Sequence, residues 1–269
     1  MRIPGLVRGL IFVAAINGLV AGCAQVPEDP DARAAYEATN DPLEDVNRAI
    51  FGFNMTVDRV FFRQFAAAYR ELPDLVKDSV RNFLRHLKTP VILANNILQG
   101  DEQGASDTIG RGLINTLGLG LFDIANGNGK GIAYRDEDFG QTLAVWGVGS
   151  GPYLQIPLLG PSNARDLSGK IVDLAFDPFT WWEINSDSSA PGAWAFGRTF
   201  VEAVDSRSRN LQQIEDLETT SLDFYATVRS LYRQQRANMI RNGEDDSATQ
   251  SYPDFEIEDE DPQDTALLE

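Results

Sequence analysis

The residue types that usually carry catalysis are few in this chain and do not form a catalytic pattern. Ser150 lies in Gly-Val-Gly-Ser-Gly, where Val148 occupies the first glycine position of the nucleophile motif G-x-S-x-G. Residues 127–131 lack the earlier glycine and the final serine or threonine of a phosphate-binding loop. One histidine and one cysteine leave no nucleophile–base set and no His- or Cys-rich metal site. The sequence therefore predicts that the protein is not an enzyme and needs no cofactor or metal.

Two polar sites allow a chemical interpretation beside a plainer one. The acidic triplet Asp136, Glu137 and Asp138 could bind a metal or act in acid–base chemistry, but a solvated helix start is the favoured interpretation. His86 lies near a predicted helix end, where an imidazole suits the helix dipole.

The position of the single cysteine, Cys23, indicates a specific chemical role. Arg2 and Arg8 precede an apolar run of about 11 residues, too short to span a bilayer. The run ends in Val-Ala-Gly before Cys23, which resembles a bacterial lipobox, where the thiol is joined to diacylglycerol and the signal is cut just before it. We expect a lipoprotein signal peptide over residues 1–22 and lipidation at Cys23; a plain signal peptide with a chance cysteine is the alternative. Ala24, in place of the Asp that retains enteric lipoproteins at the inner membrane, predicts sorting to the outer membrane.

Charge divides the mature chain into three parts. The chain has 23 Lys and Arg against 40 Asp and Glu, for a net charge of −17, which argues against a general nucleic-acid surface. Eleven acidic residues and no basic ones follow Arg241, so residues 243–269 are predicted to be an acidic disordered tail. Residues 23–40 are polar and read as a tether, which leaves residues 41–242 as the folded core.

The core reads as mostly helical, with one extended segment. Asp41-Pro42-Leu43-Glu44 has the form of a helix start, with Asp41 predicted as the cap and Pro42 at the first helical position. Apolar residues then recur at intervals of three and four to Phe61. Further helices are predicted to start at Leu72-Pro73-Asp74, at Thr89-Pro90, near Asp101, and at a Ser162 cap, followed by two or three between Gly192 and Asn242. Residues 147–161, rich in Gly and Pro, predict an extended segment or hairpin.

Three of the four tryptophans, Trp181, Trp182 and Trp194, lie within fourteen residues of one another. Tryptophan favours the membrane–water interface because its ring is apolar but carries an N–H. A membrane-interface role and an ordinary place in the core remain equally open for these three residues.

An ordered series of short motifs resembles the MlaA (VacJ) family of lipoproteins. The motifs, in chain order, are Asp41-Pro42-Leu43-Glu44, Asn47-Arg48, Phe51-Gly52-Phe53-Asn54, Leu98-Gln99-Gly100-Asp101, Leu113-Ile114-Asn115-Thr116-Leu117-Gly118, Asp138-Phe139-Gly140-Gln141-Thr142-Leu143, the run 147–157 and Pro161-Ser162-Asn163-Ala164-Arg165-Asp166. Each is weak alone, but the series is specific and covers about residues 41 to 185. The remaining helices and the acidic tail resemble the family only in general character.

This resemblance implies a mostly α-helical fold, a ring-like assembly of amphipathic helices lying in the membrane. The implied function is removal of mislocalised phospholipids from the outer leaflet of the outer membrane through an amphipathic channel, which maintains lipid asymmetry. The implied partners are phospholipid, a trimeric porin and a soluble periplasmic lipid carrier. The protein would sit on the periplasmic side of the outer membrane, lipid-anchored and embedded.

The resemblance also marks four residues as channel-shaping: Phe53, Asn54, Gly118 and Gly120. Phe53 falls on the apolar stripe of the first helix and Asn54 beside it, so the residues alone favour a core phenylalanine and a solvated asparagine. The glycines would let a pore wall bend or be approached closely.

Two functions from other classes compete with transport. One is a lipid-anchored structural or interaction lipoprotein whose helices form a soluble bundle. The other is a lipid-acting hydrolase, weakened by the missing catalytic triad.

Overall fold

The computed structural model describes residues 40–186 and 192–242, and these are mostly helical. Eleven α-helices and one hairpin are numbered here in chain order within these residues. The helices are α1 (Glu44–Val57), α2 (Arg63–Arg70), α3 (Asp74–Leu87), α4 (Thr89–Gln99), α5 (Glu102–Thr116), α6 (Phe139–Val145), α7 (Ala164–Phe176), α8 (Pro178–Asn185), α9 (Ala193–Arg209), α10 (Leu211–Thr220) and α11 (Phe224–Ile240), and the strands are β1 (Tyr153–Ile156) and β2 (Gly160–Asn163). A π-helical turn, Asp58–Phe62, joins α1 to α2 in one continuous helix. The predicted extended segment is confirmed as an antiparallel hairpin in which Tyr153 lies opposite Asn163.

Most helix starts follow local sequence signals. Asp101, Asp138 and Asp177 each accept a backbone N–H of the first turn of the helix that follows, as N-cap residues do. Two predicted caps were wrong. Asn163, not Ser162, caps α7: it is the last residue of β2, directly before the helix, and its side chain accepts the N–H of Asp166. Asp41 does not cap α1 but is buried and bonded to side chains of α1 and α11.

Two asparagines attach α1 to the free edge of β1. Asn47 accepts the N–H of Gln155 (2.8 Å) and donates to the carbonyl of Tyr153 (3.0 Å). Asn54, two turns later on the same face, donates to the carbonyl of Ile156 (2.9 Å) and accepts the N–H of Leu158 (2.8 Å). These side-chain amides supply the donors and acceptors that a third strand would supply.

The elements pack in a closed circuit. Successive neighbours run from α1 to β1, β2, α7, α6, α4, α3, α9 and α2, and α2 leads back into α1. Helix α11 contacts α6 and β2, and its side chains bond to the start of α1. This circuit is in accord with the ring-like arrangement of helices expected from the sequence.

Burial is inverted relative to a soluble protein. Among the described residues, the largest fully buried side chains are polar: Gln141, Asn47, Asn95, Thr142 and Ser162. The apolar stripe of α1 faces outward instead, with Phe53 52% and Val46 55% exposed. Other helices also present large apolar side chains to the outside, among them Leu75, Ile97, Leu113, Trp182 and Phe196. An apolar exterior on this scale marks a surface made for a non-aqueous or protein environment.

Within residues 40–186 and 192–242, no helix combines the length and apolar character needed to cross a bilayer.

Candidate functional site

Two adjoining cavities form the candidate site. The first, the polar chamber, has a volume of about 1100 Å³ and is lined mostly by charged and amide side chains of α3, residues 134–137, α9 and α11. Its lining residues are Arg81, Leu84, Arg85, Lys88, Tyr134, Arg135, Asp136, Glu137, Glu202, Asp205, Ser206, Arg209, Asn210, Leu231, Gln234, Gln235, Asn238, Met239 and Asn242. A cavity of this size holds far more than an ordered water or ion.

The second cavity, the apolar chamber, has a volume of about 480 Å³. Its walls come from α1, the hairpin turn, α9, α10 and α11, and most are apolar: Phe51, Met55, Val57, Phe62, Leu158, Leu159, Pro161, Ala203, Ile214, Leu217, Phe224 and Val228. Ser206, Asn210, Leu231 and Gln235 line both chambers. The two cavities therefore adjoin along α9 and α11, where uncharged polar side chains and Leu231 lie between the charged lining of one and the apolar lining of the other.

The apolar chamber depends on the contacts between α1, the hairpin and α11. Asp41 accepts hydrogen bonds from Asn47 (2.7 Å), from Arg229 (2.7 Å) and from the hydroxyl of Tyr225. Arg48 bonds to Asp223 at the start of α11 (2.6 Å). This group of charged contacts, the clasp, holds the beginning of the core to its last helix, which lines both chambers.

Arg236 holds α11 in place from a second side. Its guanidinium donates to both oxygens of Asp138 (2.6 Å each) and to Asp166 (3.0 Å), so that α11 is tied to α6 and α7. Burial opposes the ionisation of Asp138, but its bonds to Arg236 outweigh burial and lower its pKa. A buried arginine between two carboxylates fixes three helices at one point.

The acidic triplet is not the solvated helix start that the sequence suggested. Glu137 is buried and accepts a hydrogen bond from Gln99 (3.0 Å), while Asp138 caps α6 and pairs with Arg236. Burial raises the pKa of Glu137 to about 7, and the carboxylates of Asp138 and Asp136 add to that rise.

Glu137 should make the fold less stable as pH rises. Its folded-state pKa of about 7 lies above the usual glutamate value, so the protonated form favours the folded chain. This stability is fully present below about pH 4.3 and is lost as pH rises through about 7. Glu137→Gln removes the titration and should stabilise the protein at pH 8 by about 2 kcal/mol while changing little at pH 4.5. Thermal unfolding in non-ionic detergent at both pH values measures this difference.

The matched control is Glu71→Gln, because Glu71 is an exposed glutamate at the end of α2. An equal shift of both variants, or the same gain for Glu137→Gln at pH 4.5 and pH 8, would contradict the assignment.

The residues predicted to shape a channel lie in two places. Asn54 lines the apolar chamber and holds the hairpin turn, whereas Phe53 points outward. The expected solvated asparagine and core phenylalanine are thus reversed. Gly118 and Gly120 lie in the turn after α5 and are absent from the walls of both chambers. Their part in a channel stays a prediction.

The structure nevertheless explains why residue 120 is a glycine. Its φ is +72°, and an added Cβ would come within 2.7 Å of the His86 ring. His86 lies in the last turn of α3, where the sequence placed it.

The three tryptophans predicted for a membrane interface differ in exposure. Trp181 and Trp182 on α8 are 44% and 62% exposed, and the indole of Trp181 donates to the carbonyl of Ala175 (2.8 Å). Trp194 is half-buried, with its ring 5.7 Å from that of Phe179. The interface role of all three stays a prediction.

Several sequence predictions fall outside the described residues. These are the signal peptide over residues 1–22, lipidation at Cys23, the tether before Asn40 and the acidic tail from residue 243. Within the part of the chain that the structure describes, no group of three or more His, Cys, Asp or Glu residues is placed to hold a metal ion.

The chamber walls were the main feature that the sequence did not predict. They combine side chains of α3, α9 and α11, which are far apart in the chain, and no local motif links them. One signal was available for Asn47 and Asn54, because two asparagines seven residues apart fall on one helix face.

Proteins of one family match this chain over most of its length. The model of the MlaA lipoprotein family matches residues 39–239. The intermembrane phospholipid transport system lipoprotein MlaA of Shigella flexneri is 33% identical over 232 residues, which are 84% of this chain and 85% of that protein. The protein of the same name from Haemophilus influenzae is 31% identical over 250 residues, 91% of this chain and 95% of its own.

A solved structure has a fold similar to that of this chain. It comes from work on the structural basis for maintenance of bacterial outer membrane lipid asymmetry. It matches 74% of this chain and 98% of its own chain, with a TM-score of 0.65 and 30% sequence identity. By sequence and by fold, the chain belongs to the MlaA lipoprotein family.

Proposed function

We propose that the protein is an outer-membrane lipoprotein that removes mislocalised phospholipids from the outer leaflet and passes them to a soluble periplasmic carrier. One observation carries the proposal: a charged chamber adjoins an apolar chamber within a closed circuit of helices whose outside is apolar. The names of the relatives, which place them in an intermembrane phospholipid transport system, support it.

The two chambers match the two parts of a phospholipid. A headgroup is charged and loses hydration energy in an apolar medium, while acyl chains are driven out of water. A path with a polar wall beside an apolar wall gives each part a favourable surface throughout the transfer. Such a path moves lipid down a gradient and requires no catalytic group.

The outward apolar side chains support a position within the membrane. Leu113 is 69% and Phe196 72% exposed, and burying such side chains in the acyl region is favourable by about 25 cal/mol per Å². Acyl chains on Cys23 would add a stable anchor. A trimeric porin beside this surface and a soluble carrier at the periplasmic side complete the proposed assembly.

Site-specific photo-crosslinking tests the path. A photoreactive phenylalanine analogue at Leu231, which lines both chambers, should crosslink ³²P-labelled phospholipid in intact cells. The same analogue at Leu113 should crosslink bilayer lipid from outside, whereas at Gln213, an exposed polar residue of α10, it should not. Val228→Asp places a charge in the apolar chamber and should reduce crosslinking at Leu231 several-fold without changing Leu113.

The controls separate the competing functions. Crosslinking at Leu113 alone would contradict a lipid path and leave an embedded structural lipoprotein. Absence of lipid at both Leu113 and Leu231 would favour a soluble bundle. Release of lysolipid by the purified protein would favour a hydrolase.

A further inference from the structure

A row of basic side chains follows one face of α3. Arg81, Arg85 and Lys88 recur at intervals of four and three and all line the polar chamber, which Arg135 joins from the neighbouring segment. Like charges four residues apart on a helix repel each other, so the pair Arg81–Arg85 is unfavourable for the helix by itself.

The basic residues of the chamber differ in their partners. Lys88 pairs with Asp136 and Glu202, and Arg209 pairs with Asp205 and Asp78. Among the described residues, Arg81, Arg85 and Arg135 form no ion pair with any carboxylate.

The carboxylates of the chamber are already engaged with other groups. Asp136 and Glu202 contact Lys88, Asp205 contacts Arg209, and Glu137 accepts its hydrogen bond from Gln99. In a chain with a net charge of −17, three arginines without a carboxylate in one cavity form a distinct positive site.

Arg85 lies at the centre of this site and is partly withdrawn from water. Its guanidinium carbon stacks 4.3 Å from the ring centre of Tyr134, which fixes its plane. Burial and the neighbouring charge of Arg81 lower the pKa of Arg85. The charge is therefore partly desolvated without the counter-ion that normally offsets that cost.

We propose that Arg81, Arg85 and Arg135 form a binding site for a phosphate group on the wall of the polar chamber. Guanidinium groups match phosphate oxygens in paired hydrogen bonds, and Tyr134 holds one of them in a fixed orientation. The source of the phosphate is either the phosphodiester of a phospholipid or a free phosphate ion. The lipid source rests on the function proposed above, whereas the anion site itself does not.

Binding to the purified full-length protein in a non-ionic, uncharged detergent tests the site. The probes are dihexanoyl phosphatidylglycerol, dihexanoylglycerol without phosphate, and inorganic phosphate, each titrated by calorimetry. The variants are Arg81→Gln/Arg85→Gln and, as a control with the same change in charge, Arg59→Gln/Arg70→Gln, whose residues are exposed on α2 and the π-helical turn and line neither chamber. Arg81→Gln alone preserves the stack on Tyr134 and guards against misfolding of the double variant.

We expect phosphatidylglycerol to bind at least about tenfold more weakly to the double variant and severalfold more weakly to Arg81→Gln, with the control unchanged. Dihexanoylglycerol should bind all variants alike. Without any anion, the double variant should unfold no more than a few degrees below the unmodified protein, because its arginines have no carboxylate partners to lose. Added phosphate-bearing ligand should raise the unfolding temperature of the unmodified protein and of the control variant but not of the double variant.

The probes distinguish the source of the phosphate. If the double variant loses affinity for phosphatidylglycerol and the unmodified protein does not bind inorganic phosphate, the site recognises a lipid headgroup. If the double variant loses affinity equally for both probes, the site also binds free phosphate. Equal binding of phosphatidylglycerol to every variant overturns the site but leaves the lipid path intact. Binding of inorganic phosphate alone, with no lipid bound, would contradict the lipid path and support the anion site.

Discussion

Arg236→Met should destabilise the folded protein by about 3 to 5 kcal/mol, because it leaves the half-buried Asp138 without its ion-pair partner and removes one of the two arginines that pair with the buried Asp166. Asp138 loses its bonds to α11, whereas Asp166 keeps the bond from the Tyr232 hydroxyl, and methionine fills the space without charge. Thermal unfolding in non-ionic detergent measures the loss. The deficit should shrink at pH 4.5, since without Arg236 the burial of Asp138 raises its pKa unopposed by that pair and favours its protonated form.

An exposed ion pair provides the control. Arg59 pairs with Glu218 near the surface, so Arg59→Met should cost less than about 1 kcal/mol. Asp138→Asn and Asp166→Asn added to Arg236→Met should recover most of the lost stability. Equal costs for Arg236→Met and Arg59→Met would show that the buried network does not hold α11.

Deleting Phe53 and Asn54 together should open the lipid path without unfolding the protein. Removal of two residues turns the later part of α1 by about 200°, which moves Met55 and Val57 out of the wall of the apolar chamber. Asn47 and the clasp precede the deletion and still hold the start of the helix. A path that stays open passes lipid whether or not intact copies are present, so the defect in lipid asymmetry should be dominant.

Lipid A palmitoylation in cells that express both proteins reports phospholipid in the outer leaflet. Phe53→Ala serves as the control, because this side chain is exposed and contributes to neither chamber. Asn54→Ala should give a weaker form of the deletion, since it loses only the two bonds to the hairpin. Normal asymmetry with a stable deletion protein in the outer membrane would contradict a role for this segment.

The elements could be predicted where their signals are local. Proline at the start of α4 and aspartate at the start of α5 act within one helical turn, so the sequence defines both starts. Asp41 carries the same signal but serves a residue 188 positions away, Arg229. A local sequence pattern does not distinguish an aspartate that caps a helix from one that pairs with a distant residue.

The sequence pattern also does not predict whether the apolar faces of the helices point inward or outward. Periodicity identifies the apolar stripe of α1, but not whether that stripe faces a core or a bilayer. The structure shows that the stripe faces outward, because the opposite face, which includes Asn47, is buried against the hairpin. The chambers follow from that inversion, and their walls come from elements with no sequence link.

The clasp has a consequence for the order in which the protein folds. Asp41 meets Tyr225 and Arg229 across more than 180 intervening residues, so the clasp forms only after nearly the whole core is available for folding. Contacts of such long sequence separation slow folding, because the entropy of loop closure is lost before they form. Until α11 docks, the apolar exterior is present without an enclosed interior. A chaperone that shields this surface before α11 docks would act on an open chain, and the chambers themselves would arise as one of the last steps of assembly.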